Sequence, residues 1–332
     1  MKRFITLDII KNIAIIFVVM NHLLFLYAAE KGCFMYTINT ILAYIGVPLF
    51  MCTNGALILK KDFSNIQNIK KFYQHNLLTI VITGELWIIV YYFIKSEVFS
   101  FKDFLFCISF INKPENHLWF LRMIILYYIA MPVIIYLFKQ HRNVFSFVVF
   151  CIFCLTFAYN GYLIYKGVPF PTTSGLSYSC YLIYLLGGYY ISIGKTRNLN
   201  GFIIFLIFII SIFGLFYTHY NNNYMIWYDN PFILLISLSF FDLIYRGTMN
   251  IHNTQHNTIA LEKITDMSMM TFGIYLSHIL FIIPLRDIKL TNITEVNLLF
   301  YALTLLILFC SILLIKITKR INSRLSYLLF RY

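Results

Sequence analysis

Apolar runs of about 20 residues, broken by short polar stretches, recur along the whole chain, and an α-helix needs about that many to cross the hydrocarbon of a bilayer. Ten such runs stand at roughly 7–28, 37–59, 77–94, 117–138, 144–164, 177–194, 200–219, 226–245, 267–285 and 296–316. They predict an all-α fold, a polytopic integral membrane bundle of about ten transmembrane helices that forms a single domain over residues 1–332. The polar breaks alternate in charge. With the first residue inside, the inner breaks hold 17 basic residues: Lys2, Arg3, Lys60, Lys61, Lys70, Lys71, Lys139, Arg142, Lys195, Arg197, Arg246, Lys263, Lys316, Lys319, Arg320, Arg324 and Arg331. The outer breaks hold 7: Lys31, Lys95, Lys102, Lys113, Lys166, Arg286 and Lys289. Cytoplasmic loops are enriched in Lys and Arg, so both termini are expected to be cytoplasmic and the chain multi-pass in a plasma or inner membrane. The longest outer break, SEVFSFKDFLFCISFINKPEN, is aromatic and apolar enough to lie on the membrane or re-enter it.

Composition narrows the class further. The 332 residues are 60% hydrophobic and 12% charged, against about 25% charged in a soluble protein. The net charge of +13 is spread in short clusters between apolar runs, which excludes a basic stripe on a soluble module and with it nucleic acid as a partner. Seven cysteines, mostly inside apolar runs, form no paired extracellular framework. Cys151 and Cys154 have CxxC spacing on one turn without His or acidic neighbours, a packing pattern rather than a metal site. His252 and His256 are spaced i, i+4 in the polar break 246–266 but lack further ligands, so no metal is expected. The first run is too long for a signal-peptide core and has no small-residue cleavage pattern, so it is expected to be retained.

Ionisable groups inside a bilayer are costly and mark function by default. The first run, LDIIKNIAIIFVVMNHLLFLYA, holds Asp8, Lys11 and His22. Lys11 and His22 are eleven residues apart, about three helical turns and about 16 Å along one face, and Asp8 is placed to pair with Lys11. Glu85 lies mid-run in TIVITGELWIIVYYF, Arg122 follows His117 and Trp119 in NHLWFLRMIILYYIAMP, and His278 sits in TFGIYLSHILFI. Glu85 with Arg122 reads either as a structural ion pair or as part of a catalytic set. A histidine in a water-restricted cavity takes a proton from a hydroxyl as general base, and a cation three turns nearer the cytoplasm holds a phosphate-bearing donor. That is an arrangement for acyl transfer.

Four segments taken in order resemble acyltransferase family 3, membrane proteins that acylate extracellular polysaccharides and related glycans. LDIIKNIAIIFVVMNH is similar to that family's opening motif, an arginine followed by ten residues and a histidine, with Lys11 at the arginine's place and His22 at the histidine's. GVPLFMCTNGALIL resembles its small-residue turn, with Asn54-Gly55 for Ser-Gly. HLWFLRMIILYYIAMP is similar to its Trp-aromatic-Leu start and Tyr-to-Pro end through Trp119, Phe120, Leu121, Tyr128 and Pro132, and FGIYLSH resembles its penultimate-helix motif. Lysine at 11 keeps the charge but loses the planar fork that grips phosphate. Lys70, Lys71 and His75 stand nearest to a paired-arginine motif. Larger relatives add a hydrolase-like domain, so a stand-alone membrane form is expected here.

The resemblance implies an O-acyltransferase, foremost an O-acetyltransferase. Acetyl-CoA would be the cytoplasmic donor, a hydroxyl of a surface or lipid-linked polysaccharide the acceptor, and membrane lipid the surroundings. It implies His22, Glu85 and His278 as catalytic, Lys11, Lys70 and Lys71 as holding the coenzyme, and Arg122 and Trp119 as binding the acceptor. Two rivals share the same residues: a glycan or small-solute exporter without acyl transfer, and a structural partner in a polysaccharide-synthesis complex.

Overall fold

The computed structural model describes residues 4–27, 34–96, 98–109, 111, 112, 114–168, 178–222, 226–249, 258–287 and 293–332. Lys2, Arg3, Lys31, Cys33, Lys113, His252, His256 and Lys289 lie outside the described residues. The fold is 85% helical, with no strand among the described residues. The helices are α1 (Ile5–Leu23), α2 (Phe34–Tyr44), α3 (Gly46–Ile58), α4 (Ile66–Phe72), α5 (Leu78–Lys95), α6 (Phe101–Ile108), α7 (Trp119–Gln140) and α8 (Arg142–Phe153). They continue as α9 (Tyr159–Tyr165), α10 (Tyr181–Ser192), α11 (Gly201–Asn222), α12 (Pro231–Thr248), α13 (Thr258–Ile282), α14 (Ile293–Ile321) and α15 (Ser323–Phe330). Single π-turns, Tyr73–Leu77 and Cys154–Ala158, join α4 to α5 and α8 to α9.

Among the described residues nine helical stretches are long and apolar enough to cross a membrane. They fall at the expected runs with one exception: in 177–194 the helix is α10, 12 residues long, about 18 Å at 1.5 Å per residue. Gly194, at φ +82°, turns the chain just beyond its end. Asp8 meets Ser268, and His22 meets His278, so α1 and α13 run parallel. Six of the nine stretches separate them; were all six to cross, parallel helices would need one more pass between them, for which the α10 stretch is placed.

The chain forms two compact units, Met1–Lys60 with Phe147–Leu314, and Lys61–Ser146 with Ile315–Tyr332. In the first, α1 lies against α2, α3, α12 and α13, and α3 lies against α10. The α3–α10 contact is backbone on backbone. A Cβ at Gly55 would collide with the Leu185 carbonyl, and one at Gly188 with the carbonyl of Cys52. Small residues permit such approach between membrane helices. Helix α12 starts at Asn230-Pro231, where the Asn230 side chain accepts from Phe232 N (2.8 Å) and Pro231 needs no partner for the N–H it lacks. At the far end of α1, Tyr301 donates to Asn39 Oδ1 (2.8 Å), Asn39 Nδ2 to the Tyr27 hydroxyl (2.8 Å) and Tyr27 to Asn297 Oδ1 (2.5 Å).

The second unit is built on α5. Thr83 donates to the Leu328 carbonyl (2.8 Å) and Trp87 Nε1 to that of Leu329 (2.7 Å). Two carbonyls that α15 leaves open at its end are thereby satisfied. Phe330 is fully buried against the Trp87 ring. The long break 95–116 contains the amphipathic α6, begun where Ser100 accepts from Asp103 N. The Tyr92 hydroxyl pins that start to α5 by donating to Ser100 O (2.8 Å) and accepting from Ser100 N (3.0 Å).

Candidate functional site

In the first unit the groups expected on α1 meet partners on α13. Asp8 is buried, Lys11 Nζ stands 3.6 Å from its Oδ1, and Ser268 Oγ donates to the same oxygen at 2.6 Å. Asn12 Nδ2 donates to the Ile264 carbonyl (2.9 Å). Three turns on, the ring of half-buried His22 lies 5.0 Å from that of His278, which is fully buried. A carbonyl can only accept, so the 3.0 Å contact of His278 Nδ1 with Ile274 O places a proton on Nδ1. In neutral His278 the lone pair is then on Nε2. Tyr275 flanks His278 at 6.3 Å between rings. One seam, α1 against α13, carries a cation at one end and an imidazole pair at the other.

Two groups on that seam and one just beyond α13 were not singled out by the pattern of ionisable residues. Ser268 and Asn12 are small polar side chains of the kind that fill helix interfaces. Arg286, counted above only as a loop charge, lies within electrostatic range of His22. Its signal in the sequence was its place two turns beyond His278.

The second unit holds the remaining candidates. Glu85 is half-buried on α5 and has no ion-pair partner among the described residues, so the Glu85–Arg122 pair is not formed. The ion pair that is formed there joins Lys95 to the buried Glu115 at 3.0 Å. Arg122, one turn into α7, lines a cavity of about 510 Å³. Trp119, at the start of α7, has its ring 6.0 Å from that of Phe120 and is not among the residues lining that cavity. His117 is buried edge-on to Tyr91 at 5.1 Å. Lys70 and Lys71 are exposed on α4, and His75 is exposed on the π-turn after it. Lys61 is the more confined lysine: its Nζ stands 4.9 Å over the Phe72 ring and 3.5 Å from Asn76 Oδ1, and burial lowers its pKa. No group of three or more His, Cys, Asp or Glu is arranged for a metal among the described residues.

A family model described as an acyltransferase domain, that of acyltransferase family 3, matches residues 4–316, from the residue before α1 to near the end of α14. The chain belongs to acyltransferase family 3. No curated protein matches it, and no solved structure does. As a member of the family it is a multi-pass membrane acyltransferase, and the α1–α13 seam is where its opening motif and its penultimate-helix motif come into contact.

Proposed function

We propose that the protein is an O-acetyltransferase of the plasma or inner membrane. It moves acetyl from cytoplasmic acetyl-CoA to a hydroxyl of a surface or lipid-linked polysaccharide. The observation that carries this reading is the His22–His278 contact on the same seam as the Lys11–Asp8–Ser268 cluster. His22 takes the proton of the attacking hydroxyl as its oxygen bonds to the acetyl carbonyl carbon. The carbon–sulfur bond then breaks and the leaving thiolate is protonated. Proton transfer by a positioned side chain is worth about 10² to 10⁴ in rate. His278, its Nδ1–H fixed on Ile274 O, presents a proton acceptor beside His22 and relays or orients. Lys11, with its charge steadied by Asp8, holds the phosphates of the coenzyme. With both termini cytoplasmic, Lys11 lies at the coenzyme's side of the membrane.

The test is NMR of surface glycans from cells carrying wild-type protein or His22→Ala at equal membrane abundance. O-acetyl signals are expected in the first and not in the second. Undiminished acetylation in the variant overturns the reading. Glycan export that proceeds in both without acetyl-CoA would make the protein an exporter instead.

A further inference from the structure

Between the end of α5 and the start of α7 several large apolar side chains are left uncovered. Phe93 and Ile94 on the last turn of α5, Phe99 before α6, and Phe101 and Leu105 on α6 are all exposed, Phe101 at 66%. Their rings form one continuous surface. Phe99 stacks on Phe93 at 6.3 Å with 10° between the planes, and Phe104 meets Tyr92, Phe93 and Phe99 at 5.3, 6.2 and 5.8 Å. The apolar side of a membrane-crossing helix thus runs without a break onto α6, whose start is fixed to α5 by the two bonds between the Tyr92 hydroxyl and the Ser100 backbone.

At about 100° per residue the residues of α6 divide into three arcs. Phe101, Leu105 and Ile108 share an apolar arc of roughly 60°. Lys102, Phe106 and Asp103 share a second, on which both charged groups are exposed and Lys102 Nζ stands 5.8 Å over the Phe106 ring, covering the one aromatic there. Phe104 and the buried Cys107 fill the third, against the protein. A helix hanging in water would leave the first arc wet, and one re-entering the bilayer would bury the charges of the second. A helix lying in the interface gives each arc its own medium: hydrocarbon, water and protein. We propose that α6 lies in the plane of the membrane surface at which α5 leaves the bilayer, with Phe101 and Leu105 inserted among lipid acyl chains. The lipid is held by its chains and not by its headgroup, because on α6 itself Lys102 and Asp103 balance. Since Asp103 and Cys107 also line the cavity of about 510 Å³ between α5, α6 and α7, that cavity lies at headgroup depth.

The test is fluorescence quenching on the full chain reconstituted in phosphatidylcholine vesicles. Phe101→Trp and Lys102→Trp, both exposed changes, are each read as the emission gained over wild type. The indole added at 101 is expected to lose roughly half or more of its emission to lipid brominated at the sixth and seventh acyl carbons, less to lipid brominated at the eleventh and twelfth, and little to aqueous iodide. The indole added at 102 is expected to respond to iodide and not to lipid. Adding phosphatidylglycerol is expected to change neither. Iodide quenching of both indoles without lipid quenching overturns the proposal, as does lipid quenching of both, which would mean that α6 re-enters the bilayer. Protection of the indole at 101 from lipid and iodide alike overturns it in favour of a protein covering that face. Lipid quenching that appears only with phosphatidylglycerol overturns it in favour of a headgroup-led contact.

Discussion

The two units hold their helices together by different means. In the unit of residues 1–60 and 147–314, α3 and α10 touch through backbone at Gly55 and Gly188, and 72% of the most apolar part of Phe34–Ile58 is buried. In the other, 33% of the corresponding part of Ile66–Lys95 is buried, and the contacts are made by side chains: Trp87 and Thr83 on the carbonyls of α15, and Leu121 on Gly84. Backbone contact cannot adjust, whereas side-chain contact can change rotamer. The α3–α10 contact is therefore a rigid mount, and the unit that contains it also carries the histidine pair.

The largest effect is expected where the contrast is sharpest. Gly188→Ala and Gly55→Ala each place a methyl on a carbonyl that cannot move aside, and overpacking costs of about 1–3 kcal/mol or more outweigh the gain of about 1 kcal/mol in helix propensity. Loss of the monodisperse peak in size-exclusion chromatography is expected for both. Gly84→Ala meets only the Leu121 side chain, whose terminal Cδ2 is nearest at 2.5 Å and can change rotamer, and is expected to move stability by no more than about 1 kcal/mol in either direction. Equal damage at Gly84 and Gly188 would erase the distinction. Next comes His22→Ala, for which a fall in acetyl transfer of about 10² to 10⁴ is expected with an unchanged melting temperature; a shifted melting temperature would mean the imidazole pair is part of the mount itself. Trp87→Phe keeps the ring against Phe330 but removes the donor to Leu329, at a cost of about 1 kcal/mol, read as a lower melting temperature. The smallest effect lies in the loop before α4. There Ser64 N and Oγ each donate to the Asp62 carboxylate at 3.0 Å and hold its pKa below the usual value. The contribution of that turn is present above the unfolded carboxylate pKa and disappears as pH falls through the folded one. Ser64→Ala is expected to raise the Asp62 midpoint in an NMR titration and, by the same linkage, to lower the melting temperature slightly at neutral pH but not at a pH below the folded carboxylate pKa; an unmoved midpoint would remove the assigned cause.

What the sequence disclosed follows from the range of each signal. Span positions and the Lys11–His22 stripe were legible because both depend on local periodicity. The partner of that stripe was half legible: residue counting within their runs sets the imidazoles of His22 and His278 past the midplane on the same side, where they could line one cavity, but contact across 256 residues is nothing a local pattern specifies. The Glu85–Arg122 pair was drawn from opposite charge alone, and the structure puts Glu115 with Lys95 instead. Helix α15 shows in the sequence only as part of an inner break with Arg324 and Arg331, because its reason for folding is a pair of donors on α5 far away in sequence. Its local cue was Asn322, whose side chain accepts from the Arg324 and Leu325 amides. Helix α10 looked like an ordinary span because hydropathy counts apolar residues and not the φ of Gly194.

The hydrogen bonds beyond His22 have a direction. From Tyr301 through Asn39 and Tyr27 to Asn297, each group gives to the next and receives from the one before. Such a sequence admits no local reversal: if Asn39 flipped its amide, Tyr27 would face an oxygen on both sides and Tyr301 a nitrogen. Aspartate at 39, nearly identical in shape, would have nothing to give Tyr27 and would claim its proton, stranding Asn297. The end of the helix that bears His22 is thus secured by the order of its protons as much as by the fit of its atoms.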